Sequence, residues 1–176
     1  NTELDAVQWT DGFWGERFKV YSGTSLQSMW NTWNTPEVSH GFRNFEIASG
    51  ACPGEHWGPP FHDGDLYKWL EGVAAVYAVN KDSELDKLMD HVISYIVKSQ
   101  REDGYIHTPV IIEEKNKGID THSNAHKNTV IGTKVGAEDE KGAFANRLNF
   151  ETYNLGHLMM AGITHYRATG KKTLFD

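Results

Sequence analysis

The chain has 176 residues, of which 39% are hydrophobic, 12% aromatic and 23% charged, with a formal net charge of −7. A chain of this size buries roughly 70% of its unfolded surface as one domain, and this composition excludes a disordered chain. The negative field repels phosphate backbones and anionic lipid, and no run reaches the about 18 apolar residues of a membrane span, so neither nucleic acid nor membrane is an expected partner.

Asn1 opens directly into a polar segment with no charged-then-apolar leader. A signal peptide has been removed or was never there, and its removal would favour a periplasmic or secreted protein. Cys52 is the lone cysteine, so it forms no internal disulfide and does not identify a compartment.

Residues 7–20, VQWTDGFWGERFKV, begin with alternation around an Asp11-Gly12 turn signal and predict a short strand or hairpin. Leu26, Met29, Trp30 and Trp33 then fall at helical spacing, which predicts a helix from Ser25 that Pro36 ends. The three prolines and three glycines of GACPGEHWGPPFH, 50–62, predict an irregular ordered loop. Next comes the clearest helical stripe, Leu66, Trp69, Leu70, Val73, Ala74 and Tyr77, with Asp63 or Asp65 available as N-cap.

Asn80 and Lys81 break that helix. Ser83 opens another, with Asp86 in an approximate capping box and Leu85, Leu88, Met89, Val92, Ile93 and Ile96 as its stripe, and the two helices form an αα-hairpin. After an Asp103-Gly104 turn, the segment from Tyr105 to Val110 is too short and too interrupted by Pro109 for more than an extended piece. Residues 113–147 are polar and read as a long loop insertion, in which Val130-Ile131 and Val135 hint at a small hairpin. A last helix covers about 150–168, with Tyr153, Leu155, Leu158, Met159, Gly162, Ile163 and Tyr166 as apolar positions and Gly170 just past its end.

VYAVNKDSEL at 76–85 aligns with HYRATGKKTL at 165–174, pairing Tyr77 with Tyr166 and Leu85 with Leu174. An internal repeat of helical hairpins follows, which points to a stacked or closed all-α architecture. In this register Thr173 to Asp176 match the opening turn of the outgoing helix, so the native protein is expected to continue and residues 1–176 to be an incomplete domain.

Several residues could carry chemistry. Asp63 and Asp65 lie at a helix N-terminus, where the dipole favours their anions, although plain capping explains them as well. Glu71 could reach a cavity or solvent. Asp103, Tyr105 and His107 cluster after a helix C-terminus, where loops of a helical barrel build pockets, though turn chemistry also accounts for Asp103. Tyr153, Asn154 and His157 share one helical face with Glu151 near its start, and a hydrogen-bonded core histidine is the bland alternative. His122 and His126 have a zinc-compatible spacing but sit in a polar loop with no third ligand, so no metal site is assigned in this chain. Ser-His-Asp order, a P-loop and a dinucleotide fingerprint are all missing, and spacing assigns no catalytic residue.

The series DGFWGERF, FRNFEIASG, PPFHDGDLYKWLEGVAAVYAV, QREDGYIHTPV and LNFETYNLGHLMMAGITHYRATGK resembles, in that order and from about Gly12 to Lys171, the N-terminal part of glycoside hydrolase family 127, the β-L-arabinofuranosidase-type proteins. The resemblance implies an (α/α)6 barrel, here all-α with minor β at the N-terminus and in loops as the segments above predict, followed by β-sandwich domains, that hydrolyses terminal sugars, commonly L-arabinofuranose, of plant-type or glycoprotein glycans with retention. It also implies a cysteine thiolate held on zinc as nucleophile and a glutamate as acid/base. Those residues belong to the later barrel, so zinc is expected in a full-length member and not here, and Cys52 in its Pro/Gly loop is not at a nucleophile position.

The resemblance carries over His157, in Tyr-Asn-x-Gly-His, as a contact to substrate hydroxyls. Tyr153, His107, Tyr105, Asp63 and Asp65 lie in family motifs and join it as candidate substrate-binding residues for an oligosaccharide or glycoside. The length of 113–147 departs from the family pattern and leaves the sugar open. Two other readings fit the helices: another (α/α)-barrel carbohydrate enzyme, such as an epimerase or polysaccharide lyase, and a non-catalytic binding module.

Overall fold

The computed structural model describes residues 2–116, 144 and 147–175. Their regular structure is entirely helical: α1 (Gly12–Val20), a π-turn (Tyr21–Ser25), α2 (Leu26–Trp33), α3 (Arg43–Ala48), α4 (His62–Asn80), α5 (Ser83–Ser99), α6 (Thr108–Lys115), a 3-10 turn (Arg147–Asn149) and α7 (Glu151–Thr169). Minor β structure is therefore absent among the described residues, and the hairpin expected near Val130 and Val135 lies outside them.

The predicted strand at 7–20 is a helix instead. Asp11 is extended and its carboxylate accepts from the Gly12 N–H at 2.7 Å, so the Asp-Gly pair is a helix entrance rather than a hairpin turn. The chain then runs through the π-turn into α2, making the helix expected from Ser25 the second half of a longer one. The extended segment expected up to Val110 is likewise corrected. Pro109 occupies the first turn of α6, where its missing N–H removes no helical bond, and α6 takes Glu113 to Lys115 from the supposed loop.

Capping differs in detail. Asp63 and Asp65 lie inside the first turn of α4, which begins at His62, and Asp82 rather than Ser83 caps α5, accepting from Glu84 N–H at 2.9 Å. The Pro/Gly loop is ordered, as expected, because the buried Asn44 amide bonds Trp57 twice, donating to its carbonyl at 3.0 Å and accepting from its N–H at 3.2 Å.

The two helices aligned in sequence correspond in structure. Both α4 and α7 have 19 residues, and each ends on a left-handed residue whose N–H closes onto the matched tyrosine carbonyl, Lys81 to Tyr77 at 2.9 Å and Gly170 to Tyr166 at 2.7 Å. These two helices form the most extensive pairing in the fold, while α5 packs behind α4 and α2 beside it. The main core gathers Trp30, Phe45, Leu66, Trp69, Leu70, Met89 and Ile93, with Trp30 stacked on Trp69 at 5.1 Å. Each such side chain stabilises the fold by about 1.5–3 kcal/mol.

One apolar face lies away from the core of the described residues. Most of the apolar positions expected on α7 point outward, Met159 being 61% exposed, and the helix approaches α4 instead through Asn154, Ala161, Gly162, His165 and Ala168. Small residues let the two helix backbones come close.

Candidate substrate-binding site

The first turns of α4 and α7 and the segment leading into α6 meet in a buried polar junction. Asp63 is 1% exposed and accepts from the Thr108 N–H at 2.7 Å and the Thr108 hydroxyl at 2.6 Å. It thereby ties the start of α6 to α4. His107 is fully buried, its Nδ1 3.4 Å from both the Asp63 carboxylate and the Asn154 amide. Burial pushes the Asp63 carboxyl up, but the His107 and Thr108 contacts outweigh it and hold the group below its usual range.

Asn154 completes the junction by accepting from the Gly64 N–H at 3.1 Å and donating to the Pro60 carbonyl at 2.9 Å. The approach is so close that a Cβ at position 64 would lie 2.5 Å from the Asn154 oxygen, so glycine is required there. Nearby, the Tyr105 hydroxyl donates to the buried Glu151 carboxylate, which also accepts from the Phe144 N–H at 2.8 Å. Burial, reinforced by Glu151, raises the Tyr105 hydroxyl above its ordinary pKa.

On the open side of the same two helices lies a second group. Lys68 donates to Asp65 at 3.0 Å and to the Tyr153 hydroxyl at 2.5 Å, and the Tyr153 ring meets the His157 ring edge-on at 4.6 Å. Tyr153 is 43% exposed. Phe150, held in a left-handed conformation at the entrance to α7, packs edge-on against Tyr153 at 6.0 Å and Phe61 at 5.6 Å, extending the aromatic rim.

The candidates read from sequence thus separate: Asp63, His107 and Tyr105 lie inside, and Asp65, Tyr153 and His157 line the open strip. Glu71 is half-buried beside Tyr21, and Asp103 is exposed and paired with Arg101, away from the strip. Sequence reasoning missed Lys68, whose only signal was its spacing of three from Asp65. It also missed His56, buried with neither ring nitrogen bonded among the described residues and pushed by desolvation to a pKa of about 3.

Among the described residues no three His, Cys, Asp or Glu side chains gather as a metal centre requires. Cys52 is the lone cysteine and has no such set around it, so these residues do not fit a zinc site. His122 and His126 lie outside the described residues.

Comparison with known proteins places the chain. The family model of the β-L-arabinofuranosidase GH127 catalytic domain matches residues 6–176. A non-reducing end β-L-arabinofuranosidase of Bifidobacterium longum subsp. longum is 29% identical over 145 residues, covering 78% of this chain and 18% of that protein. Among solved structures, one described as a glycoside hydrolase is 50% identical with a TM-score of 0.58, covering 100% of this chain and 18% of its own. A GH127 β-L-arabinofuranosidase from Geobacillus stearothermophilus T6 is 32% identical with a TM-score of 0.74, covering 97% of this chain and 24% of its own. The helical hairpins are the N-terminal portion of an (α/α)6 barrel, and the chain spans only 18% to 24% of these relatives' lengths.

Proposed function

The chain belongs to the GH127 β-L-arabinofuranosidase catalytic-domain family, and we propose that the protein, at the length of its relatives, is a glycosidase releasing terminal β-L-arabinofuranose from an oligosaccharide or glycoside. The family match leaves the epimerase, lyase and scaffold readings without a supporting observation. In this reading the chain supplies one wall of the pocket, and the nucleophile, the acid/base and the β-sandwich domains belong to the rest of the protein. The zinc expected of a full-length member would lie on residues other than those described.

The observation that carries the reading is the open strip. The aromatic side chains of Phe150 and Tyr153 beside the polar groups of Asp65, Lys68 and His157 suit a furanose, whose apolar face needs an aromatic wall and whose hydroxyls need donors and acceptors. His157 and Tyr153 would contact sugar hydroxyls and Asp65 would accept from one. Asp63, His107 and Tyr105 would hold that wall from behind, fixing the first turns of α4 and α7 so that the contacts meet the substrate already oriented.

Expression at family length and as the 176-residue chain tests the proposal with a nitrophenyl β-L-arabinofuranoside and a metal assay. The long protein should turn over the substrate and carry zinc, and the short chain should do neither. Inactivity of the long protein on every arabinofuranoside, or turnover by the short chain, overturns the reading.

A further inference from the structure

Lys68 stands in the middle of the open strip, joining α4 to the exposed Tyr153 of α7. The chemistry of this contact has a direction. An ammonium has three donors and no acceptor, so at 2.5 Å it occupies a lone pair of the Tyr153 oxygen and leaves the Tyr153 proton to be donated elsewhere. Among the described residues Tyr153 makes no hydrogen bond to an acceptor, and the rings beside it, His157 and Phe150, meet it edge-on.

Charge adds a second constraint. Asp65 lies 3.0 Å from the same ammonium, so the pair offers little net charge to a ligand. Burial works against the Lys68 cation, but its bonds to Tyr153 and Asp65 prevail and raise its pKa, so it stays protonated through neutral pH.

We propose that Lys68 is a positioning residue: by holding the Tyr153 oxygen it turns the Tyr153 hydroxyl into an outward donor for an acceptor oxygen of a neutral sugar bound against α4 and α7. Neutral sugars are preferred over uronates or sugar phosphates because the Lys68 charge is already answered by Asp65. This inference rests on the proposed glycosidase reading and adds to it the residue that orients the sugar contact.

The test uses the protein at family length with Lys68→Met, Lys68→Arg, Tyr153→Phe and the Lys68→Met/Tyr153→Phe double variant, each checked for folding by thermal unfolding. Lys68→Met and Tyr153→Phe should each raise KM for the nitrophenyl arabinofuranoside about tenfold while kcat stays within about twofold, the expected loss of one hydrogen bond to the sugar. The double variant should be no worse than the poorer single one, because both remove the same oriented donor. Lys68→Arg should recover most of the affinity. Multiplying effects in the double variant, an unchanged KM in Lys68→Met, or loss of thermal stability with KM unaltered each overturns the proposal.

If the wild-type protein cleaves no arabinofuranoside, the glycosidase reading fails, and the same variants are then compared by calorimetry with L-arabinose, D-xylose, D-galactose and D-galacturonate. Binding of a neutral sugar that weakens about tenfold, non-additively, in the variants supports the role of Lys68. No saturable binding by wild type, or a preference for the uronate, overturns it.

Discussion

Asp63 and Asp65 lie two residues apart in the same turn of α4, yet they belong to different parts of the molecule. Asp63 is sealed into the junction of α4, α6 and α7, where two Thr108 donors and the His107 ring surround it. Asp65 lies on the open strip and pairs with Lys68, itself 40% exposed. The same side chain is a structural tie in one place and a surface group in the other, because the direction it points from the helix decides what can reach it.

The widest separation is expected between their substitutions. Asp63→Ala should cost about 3–4 kcal/mol in urea unfolding, since it strands the buried Thr108 N–H and His107 ring, whereas Asp65→Ala should cost under about 1 kcal/mol. Similar losses for the two would remove the distinction between junction and strip.

Acid should attack the junction side first. The folded pKa of His56 is depressed to about 3 from an ordinary 6.5, so its contribution is fully present above pH 6.5 and is lost as pH falls toward 3. Asp63, also depressed, adds to the loss below the ordinary carboxylate value. His56 alone should lower the unfolding free energy by up to about 1.4 kcal/mol per pH unit between pH 6 and 4, and His56→Leu should reduce the slope by that amount. A flat profile in the unsubstituted protein would contradict the burial of His56.

Glycine substitutions give a finer contrast. Gly64→Ala drives a Cβ to 2.5 Å from the pinned Asn154 oxygen and should cost about 1–3 kcal/mol, with the Asn154 bonds to Gly64 and Pro60 disturbed. Gly156, exposed in the interior of α7 with nothing within 4 Å of a built Cβ, should behave oppositely. Gly156→Ala should raise stability by about 0.5–1 kcal/mol, and circular-dichroism melting of both variants checks the sign.

Much of the scaffold was legible. The stripes of α4 and α5 predicted buried positions that are buried, among them Leu66, Trp69, Val73, Met89 and Ile93, because one apolar face per helix has only one way to leave water. The Tyr77 and Tyr166 alignment found the repeat because equal helices closing on left-handed caps need equivalent residues at equivalent places. Local signals with two meanings were not legible: Asp11-Gly12 serves a hairpin or a helix cap, and Pro109 ends an extended segment or starts a helix.

The candidate site divides along the same line. Motif and helical spacing brought Tyr153, Asn154 and His157 to one stretch of α7, since residues three and four apart on a helix are neighbours whatever surrounds it. Which of them would be buried came from the packing of α7 on α4, whose close approach at Gly64 drew Asn154 inward and left Tyr153 outside. Lys68 acquired its meaning in that same approach. A lysine on a helix reads as solvated until another helix places a tyrosine oxygen within its reach, and contacts between residues far apart in sequence exist only once the helices have packed.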